Sequence, residues 1–226
     1  MQGEPYAISR VRRSREQARK TYDRISGWYD ALEGNWEKRA REIGLSAISA
    51  REGETVLEIG FGTGHSLVSL ARAVGGRGRV YGIDLSPRML AIARRRVQKA
   101  GLSRQVLLEN GDAASLPLGD ASADAAFMSF VLELFDTPEI PVVLRECRRV
   151  LRQGGRIGVV SLSKEGGRSF MRALYERGHE RFPRLLDCRP IFVGQALEEA
   201  GFADLHVTSI RLFGLPVEVA VGRKRS

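Results

Sequence analysis

Three glycines in five residues, Gly60, Gly62 and Gly64, stand directly behind the short β-branched and apolar run Thr55-Val-Leu-Glu-Ile59. Losing those side chains lets a backbone turn sharply and come within van der Waals reach of a ligand. Leu67, Leu70, Ala71 and Val74 follow at helical spacing, so the turn opens onto a helix N-terminus. Unpaired N–H groups and the positive end of the helix dipole face whatever binds there. Two carboxylates complete the constellation. Asp84 closes the run Val80-Tyr-Gly-Ile-Asp84, about 20 residues further on, where an acid accepting from ribose hydroxyls belongs. Asp112 closes Asn110-Gly-Asp112 after a third apolar run; turn chemistry before a loop is its simpler reading. The chemistry implied is the holding of a nucleotide-like ligand. The glycine spacing is not the dinucleotide fingerprint, because position 65 is His65 rather than glycine.

Groups able to move a proton are few. His179 can titrate near neutrality or sit exposed on a surface helix. Tyr22 and Tyr29 share one helical stripe and either line a pocket or pack. Glu133 follows the fourth apolar run and either meets a substrate or caps the next turn. An imidazolium at His65 would oppose the helix dipole, so this histidine reads as neutral and structural. Cys147 lies on the apolar stripe of Ile140, Val143, Leu144, Val150 and Leu151 and reads as core. With Cys188 far from it, the cysteines form neither a disulfide framework nor a zinc pattern, and no metal is expected.

The elements that must position these groups follow from periodicity and punctuation. Strands are predicted over 55–59, 80–84, 105–109, 123–130, 156–162, 204–212 and 216–221. A helix is predicted over 12–32, with Ala18, Tyr22, Ile25, Tyr29 and Leu32 on its apolar stripe. Arg13, Arg15, Arg19, Lys20 and Arg24 lie outside that stripe. Residues 1–12 carry no buried pattern. A second helix covers 36–50. Ser86-Pro87 is an N-cap with proline at the first helical position, and Gly101 ends that helix. Gly154-Gly155 ends the Cys147 helix. Residues 164–190 read as an insert with a helix through Phe170, Met171, Leu174 and Tyr175, broken at Pro183. Another helix covers 190–200, and 223–226 reads as a frayed basic tail.

The 226 residues suit one α/β domain with a modest added segment, and 43% hydrophobic with 28% charged residues excludes wholesale disorder. No apolar run has spanning length and no signal-peptide h-region follows Met1, so a reduced, cytoplasmic protein is expected. The net charge of +9 goes with arginines spread along the chain, in the first helix, in Arg94-Arg-Arg96, in Arg145 to Arg152 and in Arg168 to Arg184. That spread favours solvated faces over a dedicated nucleic-acid surface, and no nucleic-acid partner is expected.

Taken in order, Glu58-Ile-Gly-Phe-Gly-Thr-Gly64, Gly82-Ile-Asp84, Asn110-Gly-Asp112 and Leu151-Arg-Gln-Gly-Gly155 resemble the motifs of class I S-adenosylmethionine (SAM)-dependent methyltransferases. The resemblance is close over residues 55–161. It implies a Rossmann-like, seven-stranded, mostly parallel sheet with helices on both faces and the last strand antiparallel beside the fifth. The few residues between the last two predicted strands suit that arrangement, since a parallel crossover needs a dozen or more. SAM is the implied cofactor and S-adenosylhomocysteine the product. Thr21-Tyr-Asp-Arg-Ile-Ser-Gly-Trp-Tyr-Asp30 resembles the start of the menaquinone/ubiquinone-biosynthesis group, in which such a helix covers the cofactor. Residues 1–50 are then a helical lid and 51–226 the SAM-binding domain, with 164–190 an insert on the substrate side.

Carried over residue by residue, the cofactor contacts are Gly60, Phe61, Gly62 and Gly64; Asp84, Leu85 and Met89; Gly111, Asp112 and Ala113; Ser129 and Phe130; and Tyr22 and Tyr29 from the lid. The Asn/Asp-Pro-Pro-Tyr-type motif of base and glutamine N-methylation is missing after the fourth strand, and so is the thiol that cytosine C5-methylation needs there. A small-molecule acceptor remains: quinone-like, an amine or a lipid. Ser129-Phe-Val-Leu-Glu-Leu-Phe135 stands where the quinone enzymes carry a Gly-Leu-Arg-Asn-type sequence. The alternatives are an NAD-dependent oxidoreductase and a SAM-binding module without catalysis. The basic first helix leaves peripheral contact with an anionic membrane as a second role, and the oligomeric state stays open.

Overall fold

Among the described residues, helices α1 (Arg15–Ile25) and α2 (Asn35–Ile48) precede an alternation of strands and helices. These are β1 (Thr55–Ile59), α3 (His65–Val74), β2 (Arg79–Asp84), α4 (Pro87–Lys99), β3 (Val106–Asn110) and β4 (Ala123–Ser129). A 3-10 turn at Leu132–Leu134 leads to α5 (Ile140–Val150), β5 (Leu151–Leu162), α6 (Val193–Glu199), β6 (Phe202–Leu212) and β7 (Leu215–Lys224). This computed structural model describes residues 14–26, 35–165, 189–212 and 214–225.

The strands form one seven-stranded sheet in the order β3-β2-β1-β4-β5-β7-β6. β1 to β5 pair in parallel, whereas β7 runs antiparallel to both neighbours, with Val219 opposite Val160 on one side and Thr208 on the other. The expected architecture is therefore the observed one. β1 shows why its sequence is a continuous apolar run: it is central, so both of its faces are covered. Leu57 and Ile59 join a core with Met128, Leu144, Val159 and Leu197 under α5 and α6. Val56 joins Ile48, Leu67, Leu70, Phe127 and Val160 under α2, α3 and α4. Cys147 is fully buried in the first of these cores, where burial pushes its thiol up to about 12 and leaves it inert.

Strand order reverses between β1 and β4, so a crevice must open over their carboxyl ends. Elsewhere the element ends depart from expectation, each for a physical reason. α1 starts at Arg15 because Ser14 and Gln17 form a reciprocal capping box, at 3.2 and 2.9 Å, and its helical residues end at Ile25. β5 starts at Leu151, directly after α5, because Leu151 pairs with Ala123; Gly154, at φ +73°, lies inside the strand rather than before it. α6 starts at Val193, since Ile191 is already bridged to Ser163. The basic tail is not frayed through its described residues. β7 includes Arg223 and Lys224, the Lys224 ammonium donates to the Leu151 carbonyl at 2.7 Å, and Arg225 pairs with Asp204. The predicted helix of the insert and Cys188 lie outside the described residues.

Candidate active site

The crevice is a cleft lined from four strand ends and, among the described residues, by two helices. Gly60 and Gly62 follow β1; Asp84, Leu85 and Met89 follow β2; Gly111, Asp112 and Ala113 follow β3; Ser129 and Phe130 follow β4; Ala18 and Tyr22 come from α1. Gly60 is required on two counts. It holds φ +67°, and a Cβ there would lie 2.4 Å from Val131 Cγ2. Its N–H donates to the Ile83 carbonyl at 2.8 Å, which ties the β1 turn to β2.

Asp84 is the most tightly braced group in the cleft. Its Oδ2 accepts the Gly62 N–H at 2.9 Å and its Oδ1 accepts the Ser86 N–H at 2.8 Å. Burial pushes its carboxyl up to about 6, opposed by those two N–H groups, while the neighbouring Asp23 adds to the rise. Each oxygen already holds one donor and retains a further lone pair. Two more donors fit, as a pair of vicinal hydroxyls would supply. The Asp84 carbonyl accepts from Asn110 Nδ2 at 2.8 Å and from the Gly111 N–H at 3.1 Å, fixing the third strand end against the second. Asp112 Oδ1 accepts the Ala114 N–H at 2.9 Å, an Asx turn that aims the loop.

The opposite wall of the cleft is built from Val131, Leu134, Phe135 and Glu139, none singled out by sequence reading. Phe130 takes the left-handed φ of +55° and turns the chain out of β4 into the 3-10 turn, its N–H held by the Val160 carbonyl at 2.8 Å. The loop beyond is pinned by Arg189, 1% exposed, whose Nη2 donates to the Phe135 carbonyl at 2.6 Å and Nη1 to Thr137 Oγ1 at 3.1 Å.

Other predicted residues stand behind the cleft. Phe61 is buried in the core beside Gly82, where a Cβ would lie 2.8 Å from its Cδ1. Gly64 is the left-handed N-cap of α3 at φ +88°, packed on Ala93. Glu133 is fully buried, with Oε1 accepting the Leu162 N–H at 3.4 Å, and burial pushes its carboxyl up to about 8. Glu58 in β1 is similarly buried and raised to about 8, with Ser66 hydrogen-bonded to it. Tyr29 and His179 lie outside the described residues.

A parallel sheet with a switch-point cleft, a glycine turn and an acid closing the second strand defines a binder of a nucleoside-bearing cofactor. Residues 56–155 match the family described as methyltransferase domain. A demethylmenaquinone methyltransferase of Symbiobacterium thermophilum is 34% identical over 151 residues, covering 65% of this chain and 59% of that protein. One from Lactobacillus johnsonii is 24% identical over 229 residues, covering 90% and 91%. The 2-phytyl-1,4-naphtoquinone methyltransferase of Synechococcus elongatus is 30% identical over 151 residues, covering 63% and 62%. The chain thus spans under two thirds of the first and third of these. Among solved structures, a SAM-dependent methyltransferase from Aquifex aeolicus is 26% identical, covers 80% of this chain and 88% of its own, and has a TM-score of 0.60. The [4+2]-cyclase SpnF, at 19% identity, 94% and 97% coverage and a TM-score of 0.73, shares the fold alone. The chain belongs to the SAM-dependent methyltransferases, and SAM is its cofactor.

Proposed function

We propose that this protein transfers the methyl group of SAM to an apolar, ring-bearing small molecule of quinone-like type, with α1 serving as a lid. The observation that carries the reading is the division of one cleft into two materials: hydrogen-bonding backbone braced on Asp84, and the apolar wall of Val131, Leu134 and Phe135. The relatives named for demethylmenaquinone and for 2-phytyl-1,4-naphtoquinone support the acceptor class.

The residues present fit the cofactor. Asp84 has capacity for two hydroxyl donors, Leu85, Met89 and Ala113 offer an apolar slot for a purine, and Asp112 lies beside that slot to accept from its amino edge. A Cβ at Gly62 would meet nothing within 4 Å, so that backbone is open to a ligand. When bound, SAM supplies a methyl on a cationic sulfur that is already a good leaving group. The chain's task is then to hold donor and acceptor in line, which can supply most of the barrier reduction. Asp84 and the glycine turn fix the donor. Val131, Leu134 and Phe135 present an acceptor ring to it, and Ala18 and Tyr22 exclude water from above. The exposed Lys20 and Arg24 on the outer side of α1 suit approach to an anionic membrane carrying a lipophilic acceptor.

Titration calorimetry with S-adenosylhomocysteine and with NAD, followed by methyl release from labelled SAM over reduced naphthoquinones, amines and phospholipids, tests this reading. Binding of the first ligand alone and turnover with the naphthoquinols support it. Binding without turnover on any acceptor supports the non-catalytic module instead.

A further inference from the structure

The turn after β2 carries a second set of bonds that cofactor binding does not require. Ser86 is the N-cap of α4, its Oγ accepting the Met89 N–H at 3.1 Å. Its hydroxyl proton goes elsewhere, to Asp23 Oδ1 of α1 at 2.6 Å. The same Asp23 oxygen accepts the Arg88 N–H at 3.4 Å, one of the first-turn amides that α4 cannot satisfy itself. The Arg88 guanidinium returns to the Asp23 carbonyl at 3.2 Å. A carboxylate from a separate helix therefore sits on the positive end of α4. Ser86 is fully buried, so its hydroxyl has no access to water in exchange.

These bonds join those of the cleft. The Ser86 N–H donates to Asp84 Oδ1, and Asp84 Oδ2 accepts the Gly62 N–H. The result is an unbroken line from Asp23 through Ser86 and Asp84 to the glycine turn. Ala18 and Tyr22, on the same helix as Asp23, line the cleft itself.

We propose that Asp23 is a positioning residue that latches α1 to the N-terminus of α4 and, through Ser86, holds Asp84 in its ligand-binding pose, so that lid docking and cofactor binding strengthen one another. The proposal rests on the reading that Asp84 holds the cofactor. Coupling between two such events is reciprocal: whatever docked α1 adds to cofactor affinity, bound cofactor adds to the docking of α1. A contact that served stability alone would leave cofactor affinity where it was.

The test uses the full chain and S-adenosylhomocysteine, with Asp23→Ala, Asp23→Asn, Ser86→Ala and the Asp23→Ala/Ser86→Ala double variant. Trypsin cleavage after Arg19, Lys20 and Arg24 reports undocking of α1, and calorimetry reports affinity. In the wild type the ligand slows those cleavages about tenfold; in Asp23→Ala that protection disappears and affinity falls by about the same factor, as reciprocity requires. Asp23→Asn, which keeps an acceptor oxygen, recovers part of both. Ser86→Ala weakens binding less in the Asp23→Ala background than alone. Ligand protection of α1 that persists in Asp23→Ala, or affinity within about twofold of wild type, overturns the latch. Failure of the wild type to bind S-adenosylhomocysteine at all refutes the cofactor reading instead, and the two failures are thereby distinguished.

Discussion

The near rim of the cleft and its far wall solve different problems with different materials. The near rim, residues 60–64 with 84–86, is main chain held by short bonds to the Asp84 carboxylate, with positive φ favouring glycine at Gly60, Gly62 and Gly64. The far wall, residues 131–139, is side-chain volume on a loop, and its rigidity is borrowed from a distant arginine. On the proposed reading, a rim that meets an invariant cofactor leaves little freedom in sequence. A wall that meets one acceptor among many then needs only the right apolar shape, and can be rebuilt without disturbing the first.

Where the two regions touch, the comparison breaks down, and the largest effect is expected there. Gly60→Ala drives a Cβ into Val131 and forces a non-glycine residue to φ +67°. Overpacking and left-handed strain together cost about 3 kcal/mol. Chemical denaturation should show that loss, and S-adenosylhomocysteine binding should vanish with it.

A change confined to the near rim comes next. Asp84→Asn replaces one acceptor with a donor that faces an N–H, and should weaken S-adenosylhomocysteine by about 2–3 kcal/mol while the fold persists. In the wild type, protonation removes the acceptor, so affinity should decline as pH falls through about 6; calorimetry on the Asn variant should show a flat profile there. On the far side, Arg189→Leu leaves the Phe135 carbonyl and Thr137 without their donor, a loss of about 2 kcal/mol. Its signature should be a raised KM for the acceptor with cofactor affinity unchanged.

A last effect, on stability rather than on binding, concerns the buried acid behind each region, Glu58 at the near rim and Glu133 at the far wall. Both carboxyls are raised to about 8 by burial, well above the unfolded value. The folded state thus binds protons that the unfolded state releases first. Their contribution is complete below about pH 4.5 and is lost as pH rises through about 8. Melting temperature should fall over that interval, and Glu58→Gln or Glu133→Gln should each flatten the fall.

The same contrast governs what could be read from sequence. Gly60, Gly62 and Asp84 announced themselves because only glycine takes those turns without strain and because an acid at a strand end stands out. Val131, Leu134 and Phe135 did not, since apolar residues at such spacing serve any core. Glu133 reads as a ligand-edge acid by position, yet the 3-10 turn puts Val131 and Leu134 on the cleft and Glu133 behind them. The strand order followed from the motifs. The early start of β5 and the late end of β7 rest on partners far along the chain, Ala123 and Phe202, which local periodicity does not register. Arg189 is a charged residue directly before Pro190-Ile-Phe-Val193, and its own type argues against the interior.

The slot occupied by β7 has a consequence for biogenesis. As the polypeptide leaves the ribosome, β5 emerges with one neighbour in hand and its other flank bare, and β6 cannot fill that place. An unpaired flank with residues as apolar as those of β5 invites adhesion to other nascent chains. Maturation therefore waits on the hairpin of residues 202–224 folding back as a unit, which makes that hairpin the step a chaperone would most profitably guard.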